Sequence, residues 1–473
     1  MGDQADDMDD VEPGGGEDLD EEDSGDEDGE EEEEEDDDDD EQRLAEIKSL
    51  RAQLKQDAGS FSLRMRLTAL LKAEADLPGV RKAREALAAA RPLPEAAWLE
   101  WIDDEERLAS GDELREVIRL AERASADGLS VAVWLRYVRL TAKLQAPHLL
   151  PAIDAAAEGD FSGEAAAAAP DAGAAGAHAV RAALERALTP CGLHVSDGAQ
   201  LWNAYEAFEA TQLRGAGGAE PEQRARVRKL WRRRLAVPHF GMDGAWQRYA
   251  QFEVGGAAGG GVDAGGGAEG LSDAAKREVE ATERVYTSAS RGASARRQHE
   301  LKVAAAAASA GAASGPWGAG ENTEWGAWEA YLAYETSPAL GGNDPWRVRL
   351  LYERMLTPTA DAWARADAAA TETTAAFIAS HEAGELPPTL DPSALPPCAR
   401  PALWRRYILF LTEHLPAPAL RVEATARAIR CCAAEPWLWV ERLRALEEAR
   451  TPAPEVRTNS LWIYLCIYLC VYS

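Results

Sequence analysis

The chain is 473 residues long and carries a formal net charge of −32. Length alone allows about two to four domains, and so acidic a chain cannot bind nucleic acid through its overall charge. Its six cysteines are spread from Cys191 to Cys470 with no CxxC pair, which excludes a disulfide scaffold and fits a reducing compartment.

The acidity is local. Residues 1–41 hold 27 Asp or Glu and no Lys or Arg, which leaves −5 for everything after them. With almost nothing apolar to bury and strong self-repulsion, 1–41 reads as a disordered acidic tail. It is either a solvated tail or an arm that contacts basic partners and competes with RNA for basic surfaces. The start lacks a basic n-region and an apolar h-region, so no signal peptide is expected. No run of about 18 apolar residues occurs, so no membrane span is expected either.

At Gln42 the texture changes. Leu44, Ile47, Leu50 and Leu54 recur at helical spacing, which predicts a first helix. A helix pair is expected next, over Leu63–Leu71 and Val80–Leu87. Onward to residue 457, strand-like alternation is rare and Ala, Leu, Arg and Glu dominate, so 42–457 reads as helical.

Two motifs then alternate. In the first, a Trp is followed by an aromatic residue three places on and a Glu four further. It reads Trp98-Trp101-Glu105, Trp202-Tyr205-Glu209, Trp246-Tyr249-Glu253 and Trp328-Tyr331-Glu335. Weaker copies are Trp134-Tyr137 with Thr141, Trp404-Tyr407 with Leu411, and Trp439 with Arg442 and Leu446. The second motif reads Val180…Leu184-Glu185-Arg186-Ala187-Leu188, Val227…Trp231-Arg232-Arg233-Arg234-Leu235 and Val348…Tyr352-Glu353-Arg354-Met355-Leu356. A degenerate copy is Val117…Ala121-Glu122-Arg123-Ala124.

Positions i, i+3 and i+7 share one stripe of an α-helix, so each Trp, Tyr and Glu lie on one face. The apolar positions four apart in the second motif form a stripe of their own. A lone helix cannot bury a Trp and a Tyr, whereas antiparallel pairs stacked in series can. The expected fold is therefore all-α, a right-handed α-α superhelix of stacked helix pairs behind the acidic tail.

Low-complexity stretches interrupt the array at 155–177, 254–270, 304–320 and 360–400, and read as swollen loops between helices. Trp363 lies in the last of these and fits no repeat. Asp344-Pro345 reads as an N-cap followed by a first-turn proline. Residues 458–473 are an atypical apolar tail, too short to span a bilayer and best explained as a truncated or misread reading frame.

The paired motifs resemble the HAT (half-a-TPR) repeat of RNA-processing scaffolds. Longer segments resemble the branch of that family that recycles U4/U6 small nuclear RNPs. They are Pro92–Trp101, Val180–Leu188 with Cys191–His194, and Arg427–Cys432. The resemblance implies a nuclear pre-mRNA splicing scaffold whose partners are spliceosomal or other RNP proteins and whose array forms a homodimer. It implies RNA binding mainly through two RNA-recognition motifs after the array, and this chain holds no Lys/Arg-Gly-Phe-type RNP sequence. Other HAT scaffolds, of mRNA 3′-end or ribosomal-RNA processing, remain open. So does a TPR-type co-chaperone, though TPRs place small Ala and Gly where this chain has aromatics.

Catalysis finds no support in the sequence. The seven His form no HExxH or zinc spacing, and phosphate-loop and nucleophile-elbow motifs are absent, so no cofactor or metal is expected. The Trp/Tyr stripe reads as packing. Glu105, Glu209, Glu253 and Glu335 lie beside that stripe and need partners, for which Arg186, Arg233 and Arg354 are candidates. The run Arg226, Arg228, Lys229, Arg232, Arg233 and Arg234 is the densest basic stretch. It is either a solvated helix face or a patch for RNA phosphate or an acidic partner.

Overall fold

The computed structural model describes residues 27–57, 59–161, 174–215, 221–257, 273–309, 324–359, 362–364, 367–368, 372, 397–433 and 435–450. Among them there is no strand. In chain order the helices are α1 (Glu27–Gln56), α2 (Phe61–Ala73), α3 (Leu77–Ala90), α4 (Glu95–Leu108), α5 (Leu114–Ser125) and α6 (Val131–Gln145). There follow α7 (Leu150–Ala157), α8 (Ala174–Cys191), α9 (Gly198–Gly215), α10 (Pro221–Leu235), α11 (Met242–Ala257) and α12 (Asp273–Ser309). The last are α13 (Glu324–Thr336), α14 (Pro345–Met355), α15 (Pro401–His414), α16 (Pro418–Cys431) and α17 (Pro436–Glu448).

Side chains start these helices by satisfying the first free backbone N–H groups. Ser60 accepts from Leu63 N at α2, Asp76 from Gly79 N at α3, and Ser130 from Val133 N at α6. Asp344 accepts from Trp346 N at α14, with Pro345 as the first helical residue. Once started, each helix packs mainly against its near neighbours in the chain, the arrangement of a solenoid. Helices of the first motif (α4, α6, α9, α11, α13, α15) alternate with helices of the second (α5, α8, α10, α12, α14, α16). The short α7 is an addition that lies along α9.

The apolar stripes fill the spaces between pairs. Val180, Leu184, Val348 and Leu235 are fully buried, as are Ile102, Val138, Phe208 and Ile408. One core cluster runs from Phe61 to Leu230 and a second from Val303 to Leu438. Smaller clusters join α1 to α2 and α3, and α10 to α11.

Two boundaries differ from the sequence reading. Helix α1 begins at Glu27, inside the acidic run that reads as disordered, while residues 1–26 lie outside the described residues. Glu is a good helix former, and the buried apolar face at Ile47 and Leu50 anchors the helix that runs back to Glu27. The loops at 155–177, 254–270 and 304–320 are also entered by helix, since α7 ends at Ala157, α8 begins at Ala174, α11 reaches Ala257 and α12 reaches Ser309. The remainders of those loops, most of 360–400, and the tail 458–473 lie outside the described residues.

Candidate functional site: the inter-repeat ladder and the basic run

In several first-motif helices the Trp anchors its own repeat. Trp202 Nε1 donates to Gly192 O at 2.9 Å and Trp404 Nε1 to Cys398 O at 2.8 Å, so each ring pins the turn before its helix. At Gly192 a Cβ would meet Leu188 O at 2.5 Å, so the turn after α8 needs glycine. Trp98 Nε1 donates to Asp127, which also accepts from Leu93 N. Trp328 is buried, whereas Trp246 is half-buried and stacks on Tyr286 at 4.9 Å.

The Glu that closes the first motif pairs with the preceding second-motif helix. Glu209 receives two bonds from Arg181 (2.6 and 3.0 Å), Glu253 two from Arg228 (2.7 Å each) and Glu335 two from Arg296 (2.5 and 2.9 Å). Glu105 does the same with Arg81 at 2.6 Å. The expected partners Arg186, Arg233 and Arg354 are not the ones used. Arg181 and Arg228 stand five residues earlier on the same helices, nearer their N-termini. Bidentate Arg–carboxylate geometry satisfies both buried oxygens, which a lone carboxylate at 2 % exposure, as in Glu209 and Glu335, requires.

Arg186, Arg233 and Arg354 look the other way, into a second ladder. Arg233 pairs with Glu185 at 2.6 and 2.9 Å, and Arg354 with Glu300 at 2.7 and 2.8 Å. Arg427 pairs with Glu353 at 2.6 Å, Arg186 with Glu122 at 2.6 Å, and Arg123 with Glu85 at 2.9 Å. The tyrosine of the intervening helix adds a third member: Tyr205 donates to Glu185 at 2.9 Å, Tyr331 to Glu300 at 3.0 Å, and Tyr407 to Glu353. Tyr137 instead accepts from Arg186 at 2.6 Å. The same arginines lie over the aromatic stripe, Arg233 over Trp202, Arg354 over Trp328 and Arg427 over Trp404 at 5.0–5.7 Å. Each Glu-Arg dipeptide (122–123, 185–186, 353–354) thus works in both directions, its Arg reaching back one repeat and its Glu forward.

Burial grades the rungs. Burial disfavours the ionised Glu353 carboxyl, but Arg427 and Arg349 outweigh it and bring its pKa down to about 2. Burial raises Tyr407 well above the usual phenol range, with the Glu353 charge adding to it. Glu185, whose side chain is 41 % exposed, is also lowered: burial opposes the shift and Arg233 and Tyr205 produce it.

The ladders have gaps. Helix α10 carries Arg232 where α8 carries Glu185, so Tyr249 donates to Thr282 Oγ1 at 3.3 Å instead. Leu411 of α15 stands where α4, α9, α11 and α13 carry Glu, and α6 carries Thr141 there. Arg349, which has the register of Arg181, is left with Glu353 at 3.6 Å and an Nε without a partner.

The basic run on α10 is dispersed, because nine residues cover more than two helical turns. Arg234 is 2 % exposed and pairs with Glu206 and Asn203, its pKa brought down to about 10 by burial. Arg228 is taken by Glu253, Arg233 by Glu185 and Arg232 by Glu278 at 2.5 Å. Arg226 donates to Gln223 at 3.3 Å and remains exposed, as does Lys229. The His residues within the described region are structural where buried: His194 accepts from Asp197 N, and burial lowers it well below the usual range. Among the described residues no group of His, Cys, Asp or Glu could hold a metal, and no helix is long and apolar enough to cross a membrane.

A repeat built from Trp, Tyr, Glu and Arg in these roles is matched by a known family. The model of the family described as Suppressor of forked protein (Suf) covers residues 45–357. The chain belongs to the Suf family. Among Suf-like relatives, the mouse protein named "Spliceosome associated factor 3, U4/U6 recycling protein" is 29% identical over 208 residues, 44% of this chain and 18% of that protein. Its counterpart from Pongo abelii is 30% identical over the same shares. The Danio rerio protein of that name is 27% identical over 419 residues, 85% of this chain and 33% of the relative. The chain therefore spans a third or less of the length of these relatives.

Proposed function

We propose that this chain is a protein-binding scaffold in RNA processing, serving U4/U6 snRNP assembly and recycling during pre-mRNA splicing in the nucleus. The observation that carries the reading is the match to the U4/U6 recycling protein of Danio rerio along 85% of the chain. The ladder supports the scaffold part of it. Its carboxylates are neutralised by arginines in fixed geometry and pack aromatic stripes, which builds a rigid surface rather than a reactive one. The partners are proteins of spliceosomal RNPs, the array pairs with a second copy, and RNA is held mainly by RNA-recognition motifs outside this chain.

The basic run has a minor share in RNA contact, since four of its arginines already face carboxylates and only Arg226 and Lys229 are left outward. Tagged protein is recovered from nuclear extract and its RNA identified. Enrichment of U4 and U6 RNAs is expected. Recovery of 3′-end-processing or ribosomal-RNA-processing factors without U4 and U6 would overturn the assignment. The double variant Arg226→Glu/Lys229→Glu is expected to change that recovery less than twofold.

A further inference from the structure

Where α12 crosses the turn between α10 and α11, the surface holds a groove that the ladders leave open. It has a volume of about 550 Å³ and runs between α12, residues 236–238 and the loop after α13. The α12 backbone comes close to the turn. A Cβ at Gly292 would meet Pro238 Cγ at 3.2 Å, so glycine lets the two pack as the floor. Two large aliphatic side chains stand at the walls, Val285 at 44 % and Leu340 at 66 % exposure. Scattered exposed apolar residues need no explanation, whereas two that wall one groove do.

Leu340 is held in place by its loop. Gly341 N donates to Tyr334 O at 3.0 Å, Gly342 N to Ser337 O at 3.0 Å and Asn343 N to Glu335 O at 3.1 Å. Gly342 takes a φ of +87°, which glycine alone adopts freely. The exposed leucine is therefore presented by an ordered backbone, which lowers the entropic cost of docking against it.

The polar rim carries one sign. Arg291, Arg296 and Arg347 line the groove, and among the described residues no Asp or Glu does. Arg296 is neutralised by Glu335. Arg291 is exposed and has no hydrogen bond or ion pair among the described residues. Arg347 is half-buried and reaches only Asp344, at 3.6 Å, a carboxylate already used to cap α14. Burial, and then the Arg296 charge, lower Arg347 from the usual guanidinium range. Carboxylates docked at this rim would answer both arginines in the geometry they favour.

Single-stranded nucleic acid is the other anion to weigh, and it binds basic grooves that offer free aromatic faces. Tyr334 is the aromatic residue lining this groove, and it already packs against His299 at 4.8 Å and Arg296 at 5.6 Å. The walls offer aliphatic surface instead, which suits an apolar side chain.

We propose that this groove receives an acidic segment of a protein partner, with a leucine or similar side chain seated between Val285 and Leu340 and flanking Asp or Glu carboxylates on Arg291 and Arg347. The site lies apart from the ladders, and its test does not depend on which RNP the array serves.

The test uses the full chain and fluorescence anisotropy of a labelled synthetic peptide of Asp and Glu that carries two Leu. The wild type is expected to bind it saturably, and more weakly as salt rises. Leu340→Asp should weaken binding about tenfold or more, and Arg291→Glu about fivefold. The same peptide with Ser in place of Leu should bind the wild type about fivefold or more weakly. Leu340 and Arg291 are exposed, so neither change empties a core; if Leu340→Asp disturbs its loop, Arg291→Glu and the Ser peptide still decide. Equal binding of the two peptides would show a general attraction for polyanions and overturn the groove. So would wild-type affinity in Arg291→Glu, or tighter binding of labelled oligouridine than of the peptide. No saturable binding to the wild type would also overturn it, including the case in which the chain's own acidic residues 1–41 hold the groove.

Discussion

Two rungs of the same ladder differ chiefly in where they lie. At Glu353, Arg427 and Tyr407 close on a carboxylate that is buried with both partners; at Glu185, Arg233 and Tyr205 make the same bonds to a side chain 41 % exposed. The bonded groups are of the same kind, with Arg349 added 3.6 Å from Glu353, so the larger part of the difference in what they contribute comes from solvent. Water screens the Glu185 pair and rehydrates either partner when the other is lost. Glu353 is buried with its partners, and removing one member strands a charge in the core. Repeats that look equivalent in sequence are therefore unequal in energy.

The largest expected effect follows from breaking the buried rung. Arg427→Ala leaves Glu353 with the Tyr407 hydroxyl and Arg349 at 3.6 Å, and should cost about 3–5 kcal/mol in chemical denaturation. A loss near 1 kcal/mol would mean that the cluster relaxes or admits water. Acid should probe the same carboxylate without mutation. A group whose folded pKa lies near 2, against about 4.5 unfolded, stabilises the fold fully above about pH 4.5 and loses that contribution as pH falls toward 2. Denaturation midpoints measured between pH 6 and pH 2.5 should fall steeply below 4.5, and Glu353→Gln should flatten part of that slope.

Tyr407→Phe comes next, at about 1.5–3 kcal/mol, because it deletes one hydrogen bond to a buried charge. Tyr205→Phe at the exposed rung should cost visibly less in the same chemical denaturation. Smallest of all are Glu185→Ala and Arg232→Ala, each expected within about 1 kcal/mol of wild type. A large loss from Arg232→Ala would show that the Glu278 pair substitutes for the rung missing on α10.

Much of this was legible in the sequence, and each failure has its own physical cause. Period and composition place the helices: Trp202, Tyr205 and Glu209 share a face whatever packs against it. The partner of Glu209 is another matter. Arg181 and Arg186 stand on one helix five residues apart, and which of them meets Glu209 depends on how far α9 is shifted along α8, a distance that no local pattern encodes. The run from Arg226 to Arg234 reads as one patch in a line of text, yet its members turn to four different acids because a helix turns by about 100° per residue. Trp363 was unreadable for a third reason: its partners at Phe61 and Pro92 belong to the far end of the array. Absence was informative at Leu411, whose departure from the motif leaves Arg349 to pair with Glu353 at 3.6 Å.

Double-mutant cycles at the two rungs, Glu353 with Arg427 and Glu185 with Arg233, test most directly whether burial grades the ladder. Removing partners singly and together isolates each pair's coupling from the side effects of either change. The coupling at Glu353–Arg427 should exceed that at Glu185–Arg233 by about threefold or more. Equal couplings would contradict the account, since the repeats would then contribute alike and position within the array would not matter.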